Sequence, residues 1–296
     1  MKLKGDWDLI KMENNFQQKY IERVQEGGSI LCAGLDPAEY GSREGKDVLP
    51  KGVNKRDWAL KYIEAVAPFC VALKPNTNYW EGIDDVESLG EIVYLAHSKG
   101  LVVIEDSKRR DIGSTNDSGF CFTQDKAYDA VTFSPFAGNL EEAALQAHKR
   151  DLGLISMCIM SNPEFEKEKN SWIEASYPIP AGVDLKLIDD KLCVRKYVDI
   201  AKRSEAAGVD GLVIGAPSDK NHIKGYEIQN VSGIYNGLIL VPGVGAQGGE
   251  VDLLKKQFSR ERLIVNVGRA LMFPNGAGST PKDQAEAAQA YNKMLN

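Results

Sequence analysis

Short apolar segments recur along the chain, and each is followed by a longer segment with the spacing of an amphipathic helix. The apolar segments are rich in Val, Ile and Leu and do not alternate strictly with polar residues, which is typical of strands buried on both faces of a parallel sheet. Strands are predicted at 29–35, 69–74, 101–105, 129–133, 152–158, 210–214, 237–241 and 262–267. Helices are predicted at 55–67, 85–98, 115–126, 140–148, 192–206, 218–229, 249–256 and 281–294.

This alternation of strands and helices predicts an α/β fold, the (β/α)8 TIM barrel. An open, doubly wound sheet is the competing architecture, but no Gly-x-Gly-x-x-Gly motif follows the first strand, which weakens its dinucleotide-binding form. The polar segment 161–190 breaks the alternation after the fifth strand. We predict a single barrel domain over 1–296, with an N-terminal helical extension at about 1–28 and a loop insertion at about 161–190.

Composition restricts the partners of the chain. Its formal net charge of −6 argues against non-specific binding of nucleic acid, which requires a basic surface. No apolar run approaches the ~20 residues of a membrane helix, and residues 1–11 lack the apolar core of a secretory signal. The cysteines are scattered and form no Cys-x-x-Cys pair, which fits free thiols in a reducing compartment. We therefore expect a cytoplasmic protein that binds neither nucleic acid nor membranes.

Polar residues follow several of the predicted strands. In (β/α)8 barrels the active site is built at the C-terminal ends of the strands. At these ends the sequence places Asp36, Lys74, Asp106, Lys108, Ser161, Asn162, the glycine-rich segment 243–249, Gly268 and Arg269. Because separate strands deliver polar groups to the same rim, their convergence predicts a ligand site there.

The strand at 101–105 runs directly into Asp106, Lys108 and Asp111. Because side chains alternate between the faces of a strand, Asp106 and Lys108 are expected on the same face. An ammonium group crowded by carboxylates is a candidate proton donor, which makes Lys108, Asp106 and Asp111 the candidate catalytic residues. Thr115 lies on the side of Asp111 if a helix has begun, but spacing alone does not say whether the pair reaches the same pocket. A salt-bridge network at the rim is the alternative interpretation.

The glycine-rich loops at 241–249 and 265–269 form a second candidate motif. Loops after strands seven and eight are the usual phosphate site of these barrels. Glycines let backbone N–H groups approach an anion closely, and a helix N-terminus adds partial positive charge. Gln247 can donate an amide hydrogen bond, and Arg269 can hold phosphate oxygens with both arms of its guanidinium group. Two tight turns with a surface arginine are the alternative.

Other rim residues are open to two interpretations. Asp36 and Lys74 follow adjacent strands, where they either contact sugar hydroxyls or form a single salt bridge. The segment Ser161-Asn162-Pro163 contributes to the site or forms a plain turn.

The histidines are His97, His148 and His222, and they lie on predicted helices or helix starts, away from the strand ends. We therefore expect their side chains to be solvated. Since the chain has no His-Glu-x-x-His motif and no cluster of Cys and His, we expect no metal site.

The segment 106–115, Asp-Ser-Lys-Arg-Arg-Asp-Ile-Gly-Ser-Thr, resembles the signature of the orotidine 5′-monophosphate decarboxylase family in its longer-chain subgroup. The resemblance runs from about residue 30 to residue 273. Supporting motifs are Gly34-Leu-Asp36, Leu73-Lys74, Ser161-Asn-Pro, Pro242-Gly-Val-Gly-Ala-Gln247-Gly-Gly and Gly268-Arg269. Together they are specific, whereas the Asp/Lys/Asp element alone is shared with sugar-phosphate relatives.

The resemblance implies a (β/α)8 barrel that works as a homodimer without a metal or an organic cofactor. It implies binding of orotidine 5′-monophosphate and release of uridine 5′-monophosphate (UMP) and carbon dioxide in de novo pyrimidine biosynthesis. Lys108 would protonate C6 of the pyrimidine as carbon dioxide leaves. Asp106 would lie near the substrate carboxylate and hold Lys108, while Asp111 and Thr115 would reach the neighbouring subunit's site.

The same resemblance implies roles in substrate binding for the other rim residues. Asp36 and Lys74 would contact the ribose, Ser161 would read the pyrimidine ring, and Pro242 would line the base pocket. The phosphate would be held by Gln247, on a loop that closes over the ligand, and by Arg269. The set of candidate substrate-binding residues is completed by Asn162, Gly248 and Gly268.

Alternative functions stay open at this point. A metal-dependent sugar-phosphate enzyme of the same barrel group, of the 3-hexulose-6-phosphate synthase or ketogulonate-phosphate decarboxylase type, would use a related Asp/Lys/Asp signature. A non-catalytic nucleotide-phosphate binding protein would need the phosphate site but not a lysine among carboxylates, so Lys108 disfavours it.

Overall fold

Each apolar segment predicted as a barrel strand forms one. The computed structural model describes residues 16–42, 44–45, 47–179, 181–245 and 251–296. Within these ranges the barrel strands are β1 Leu31–Leu35, β2 Ala72–Pro75, β3 Val102–Arg109, β4 Ala130–Phe133, β5 Gly153–Ile159, β9 Gly211–Ile214, β10 Leu238–Val241 and β11 Leu263–Val267. They are parallel and run in the order β1-β11-β10-β9-β5-β4-β3-β2, with β1 pairing β11 to close the barrel. The predicted α/β barrel is therefore confirmed.

Helices surround the barrel. Over the same ranges they are α1 Phe16–Gly27, α2 Lys55–Val66, α3 Asp85–Ser98, α4 Gly113–Asp125, α5 Leu140–His148, α6 Phe165–Lys169, α7 Lys196–Ala207, α8 Gly225–Ser232, α9 Asp252–Gln257, α10 Arg269–Met272 and α11 Pro281–Leu295. Capping residues in the sequence explain where some of these helices begin. The Asn54 side chain accepts a hydrogen bond of 2.9 Å from the Asp57 N–H at the start of α2, and Thr280 with Asp283 forms a capping box at the start of α11.

Helix α1 lies in the predicted N-terminal extension and packs on the barrel. Phe16, Tyr20 and Val24 recur every four residues on the same face of the helix and are buried. The Tyr20 hydroxyl donates a hydrogen bond of 2.7 Å to the Leu263 carbonyl, and a Cβ atom at Gly153 would lie 2.4 Å from the Phe16 ring. Full burial of such a side chain contributes about 1.5–3 kcal/mol, so α1 is part of the core.

The insertion after β5 differs from the predicted loop. Its described residues contain α6 and an antiparallel sheet of order β6-β8-β7, formed by β6 Trp172–Glu174, β7 Leu185–Ile188 and β8 Lys191–Arg195. The β8 strand occupies 191–195, so the helix predicted from 192 begins only at Lys196. Asp189 and Asp190 join β7 to β8 with φ of 49° and 60°, the left-handed pair that a two-residue hairpin turn requires.

The histidines also differ from their predicted solvated environment. His97 Nε2 lies 3.0 Å from Asp129 Oδ2, and His148 Nε2 lies 2.9 Å from Asp210 Oδ2. His222 is buried in the loop before α8, which begins at residue 225 instead of the predicted 218. The prediction failed because the carboxylate partners lie far from the histidines in sequence.

The cysteines are free thiols, with Cys32, Cys158 and Cys193 buried and Cys70 and Cys121 partly buried. Burial raises the pKa of the Cys32 thiol to about 12. Among the helices of the described ranges, none is long and apolar enough to cross a membrane.

Candidate active site

A charged cluster lies at the C-terminal ends of β2 and β3. The Asp106 carboxylate receives a hydrogen bond of 2.6 Å from Lys108 Nζ on Oδ1, and Lys74 Nζ donates to its Oδ2. Lys74 and Asp106 are buried, whereas 42% of the Lys108 side chain is exposed. The carboxylate therefore bridges an internal ammonium group and one that faces the barrel mouth.

In this cluster, the charged groups shift the pKa values of their neighbours so that the ionised forms are favoured. Burial alone would raise the pKa of Asp106, but the ammonium groups of Lys74 and Lys108 outweigh it and hold that pKa well below its usual range. Burial alone would lower the pKa of Lys74, but the charges of Asp106 and Asp36 outweigh it and raise that pKa. Asp106 and Lys74 are thus both ionised near neutral pH.

An irregularity in β3 brings Lys108 to Asp106. Between Glu105 and Arg109 the strand advances four residues, while β4 advances only from Val131 to Phe133. Lys108 adopts a left-handed backbone with φ of 48°. The regular alternation of a strand predicts Asp106 and Lys108 on the same face, whereas in the structure a bulge brings them into contact.

Thr132 on β4 is part of the cluster and was missed in the sequence. Its hydroxyl lies 3.1 Å from Asp106 Oδ1 as a donor, and it accepts a hydrogen bond of 2.9 Å from the Lys108 backbone N–H. It is buried, so it fixes both the carboxylate and the bulge. A hydroxyl residue within the apolar run 129–133 was the available signal.

Asp36 and the end of β11 form the neighbouring part of the rim. A Cβ atom at Gly34 would lie 2.9 Å from the Gly268 Cα atom, so this close approach of β1 to the residue after β11 requires glycine. The same construction at Gly268 places Asp36 Oδ2 at 3.9 Å. Arg269 begins α10 and is exposed. Asp36, Lys74, Gly268 and Arg269 thus come to the same rim.

Ser161, Asn162 and Pro242 lie at the ends of β5 and β10. A Cβ atom at Gly215 would lie 2.9 Å from the Ser161 Cβ atom, so Ser161 packs on the backbone after β9. The Asn162 amide donates a hydrogen bond of 2.8 Å to Glu164 and is exposed. The Pro242 carbonyl accepts a hydrogen bond of 2.9 Å from the backbone N–H of residue 216. Gln247 and Gly248 lie outside the described residues.

Among the described residues, Asp111 and Thr115 form no hydrogen bond or ion pair with the charged cluster. Both are exposed, Asp111 just before α4 and Thr115 in its first turn. Asp111 Oδ1 accepts a hydrogen bond of 2.9 Å from the Ile112 N–H. Among the described residues, the ion pairs of Lys108 include Asp106 but not Asp111, so the expected crowding of Lys108 by both carboxylates is not met within one chain.

A metal site was not expected from the sequence. In the part of the chain that the structure describes, no group of three or more His, Cys, Asp or Glu side chains is arranged to hold a metal ion. The charged cluster pairs its carboxylate with two ammonium groups.

Known proteins resemble this chain in sequence and in fold. Residues 29–288 match the model of the family described as "Orotidine 5'-phosphate decarboxylase / HUMPS family". An Azoarcus sp. protein named orotidine 5′-phosphate decarboxylase is 31% identical over 90% of this chain and 91% of its own, and one from Halorubrum lacusprofundi is 26% identical over 95% and 99%. The structure of Leishmania donovani OMP decarboxylase shares the fold, with a TM-score of 0.70 at 23% identity over 95% of this chain and 97% of that chain. The chain belongs to the orotidine 5′-phosphate decarboxylase / HUMPS family.

Proposed function

We propose that the chain is a carboxy-lyase that converts orotidine 5′-monophosphate into UMP and carbon dioxide in pyrimidine biosynthesis, without a cofactor. The family match and the names of the curated relatives support the substrate and the reaction. The observation that carries the proposal is the Asp106 carboxylate held between buried Lys74 and partly exposed Lys108. These three side chains provide fixed charges and a proton donor at the end of the barrel where we propose that the substrate binds.

Lys108 supplies the proton in this proposal. When the bond between C6 and the carboxylate breaks, its electron pair stays on C6 and carbon dioxide leaves. A proton from Lys108 Nζ then forms the C6–H bond, and the lysine regains a proton from solvent. Charged groups that the protein already holds in place stabilise the charge that develops on C6 in the transition state. They lower the activation barrier because they need not reorient during the reaction.

The rest of the rim binds the substrate. Asp36 and Lys74 contact the ribose, Ser161 and Pro242 contact the base, and Asn162 is a further substrate-binding residue. The position of Asp36 and Lys74 on the adjacent strands β1 and β2, apart from Ser161 after β5 and Pro242 after β10, supports this division. The phosphate is held by Gln247, Gly248, Gly268 and Arg269.

We also propose that the enzyme is a cytoplasmic homodimer in which Asp111 and Thr115 complete the neighbouring subunit's site. Their exposure at the start of α4, and the lack of an ion pair between Asp111 and Lys108 among the described residues of one chain, support this arrangement. Lys108 would then be flanked by Asp106 of its own chain and Asp111 of the partner.

The direct test follows the ultraviolet absorbance of orotidine 5′-monophosphate after adding the protein in the presence of a metal chelator. We expect complete conversion to UMP at the same rate with and without the chelator. Loss of turnover that a divalent metal restores would contradict decarboxylation without a cofactor. No turnover of the nucleotide, with or without added metal, would instead favour the sugar-phosphate type of chemistry. Binding of UMP without any turnover of the substrate would favour a non-catalytic nucleotide-binding protein.

A further inference from the structure

The backbone at Lys108 is strained. A non-glycine residue in the left-handed region costs about 1–3 kcal/mol and persists only where its surroundings enforce it. Lys108 has φ of 48° and is followed by Arg109, which returns to regular pairing with Phe133 of β4. Bulges near active sites re-aim a side chain, so the contacts that hold this bulge also determine where the Lys108 ammonium points.

A buried ion pair spans the bulge on the outer face of β3. Arg109 Nη2 lies 3.0 Å from Glu105 Oε1 and 3.4 Å from Oε2. Only 5% of the Glu105 side chain and 24% of the Arg109 side chain are exposed. In a regular strand, residues four apart are about 13 Å apart along the chain, so the pair is possible because the extra residues of the bulge bring its two ends together.

Helix α4 completes this arrangement. Arg109 Nε donates a hydrogen bond of 3.1 Å to Thr123 Oγ1, and the Thr123 hydroxyl donates to Glu105 Oε2. Gly119 leaves room for the guanidinium group, since a Cβ atom there would lie 2.8 Å from Arg109 Nη1. The ends of the bulge are therefore tied to each other and to the helix that begins near Asp111.

We propose that Glu105 and Arg109 are a positioning pair for Lys108. They hold the left-handed backbone from outside the barrel, while Thr132 holds it from inside. The proposal rests on the proposed function, because it assigns to the pair the task of aiming the Lys108 proton donor. Neither residue of the pair contacts the substrate.

The pair acts on the chemical step more than on binding. A displacement of about 1 Å in a reacting group can reduce a rate by about 100-fold. Substrate affinity comes mainly from the ribose and phosphate contacts on other strands, which the pair does not touch. Loosening the bulge should therefore lower kcat while KM and the affinity for UMP change little.

The test compares the double variant Glu105→Gln/Arg109→Met with a matched control. Removing both charges avoids leaving a buried carboxylate unpaired, which a single Arg109→Met substitution would do. The control is Asp117→Asn/Arg150→Gln, which removes a different ion pair of α4, where Arg150 Nη2 lies 2.9 Å from Asp117 Oδ2. Turnover, KM, UMP affinity and thermal unfolding are measured for each, and Arg109→Lys and Thr123→Val are added as milder changes.

We expect kcat of the double variant to fall by about 10-fold to 100-fold, with KM and the Kd for UMP within about three-fold of wild type. The control should keep wild-type turnover, and Arg109→Lys should lie between wild type and the double variant. Unchanged kcat in a folded double variant overturns the proposal, as does a fall that the control shares. If the wild-type protein itself has no decarboxylase activity, the proposed function fails instead.

A crystal structure of the double variant gives a readout that is independent of activity. The proposal expects Lys108 to leave the left-handed region and its Nζ to leave Asp106. If both are retained in that structure, the pair does not position Lys108. Should the double variant fail to fold, the Thr123→Val structure and its kcat decide in the same way.

Discussion

Lys108 Nζ lies 2.6 Å from Asp106 Oδ1, although the residues are joined by a bulge and not by a regular strand. The contact leaves the ammonium group partly exposed at the barrel mouth, while the carboxylate beneath it is buried and also paired with Lys74. Asp106 thus orients Lys108 from below without covering it.

Replacing Lys108 with alanine should abolish decarboxylation but leave UMP binding within about three-fold of wild type. A positioned proton donor contributes about 10²–10⁴-fold to a rate, and the lost positive charge adds to that effect. Steady-state turnover and calorimetric titration with UMP measure the two quantities. Lys282→Ala, on the exposed face of α11, is the control and should be fully active. Near-normal turnover of Lys108→Ala would contradict the proposed mechanism.

Mixing Lys108→Ala with Asp111→Ala subunits should restore activity if sites are shared between chains. Each homodimer lacks one group at both sites, but a heterodimer contains one complete site. Random pairing would therefore restore about a quarter of wild-type activity. The control mixes Lys108→Ala with Lys74→Ala, which lie in the same chain's cluster, and no recovery is expected there. Verified Lys108/Asp111 heterodimers without activity would show that Asp111 does not reach the partner.

The ionised Asp106 makes the stability of the protein depend on pH. Its pKa is lowered in the folded state, so its stabilising contribution is present above the unfolded value of about 3.9 and is lost as the pH falls below it. We expect the difference in free energy of unfolding between wild type and Asp106→Asn to shrink below about pH 4. Urea unfolding of both proteins from neutral to acidic pH measures this difference. A constant difference across that range would mean that Asp106 is not held ionised by its neighbours.

The insertion after β5 is anchored by a buried ion pair. Lys169 Nζ lies 2.5 Å from both Glu227 carboxylate oxygens, and the two side chains are 1% and 0% exposed. Lys169→Met should lower the free energy of unfolding by about 3–5 kcal/mol, because it leaves the buried Glu227 charge unpaired. Lys169→Met/Glu227→Gln should recover most of that loss in urea unfolding. Lys191→Met, in the exposed pair with Glu174, is the control and should leave stability unchanged. Equal stability of Lys169→Met and wild type would contradict this account.

The sequence predicted the barrel because its strands are marked by their own composition. A strand buried on both faces, such as β10 Leu238–Val241, must be continuously apolar. The β7–β8 hairpin of the insertion is harder to predict from the sequence. Its residues Leu185, Leu187 and Leu192 are exposed, so they do not follow from a buried pattern. Its turn is Asp189-Asp190, without the glycine that usually indicates a hairpin turn.

The candidate site was predictable where residues lie near the C-terminal ends of strands, as Lys74 does in β2 and Asp106 in β3. The bulge at 106–108 was not, because it depends on the pairing of β3 with β4 and leaves no mark in the composition. Thr132 was missed for the same reason, because its contacts join β4 to β3. The Glu105–Arg109 ion pair was missed because it spans the bulge within β3.

The pairing of Leu31 with Val265 that closes the barrel has a consequence for synthesis on the ribosome. Contacts this distant in sequence form late, because chain entropy is lost before the pairing is gained. The charged cluster of Lys74, Asp106 and Lys108 lies within neighbouring strands and needs only the first part of the chain. Proteolysis of stalled nascent chains should therefore show protection around β1, β2 and β3, which pair with one another, before β11 is added to close the barrel. A nascent chain would therefore contain the charged cluster before the barrel is closed. A truncated chain would have the proposed reacting groups but would lack the closed pocket that we propose binds the nucleotide.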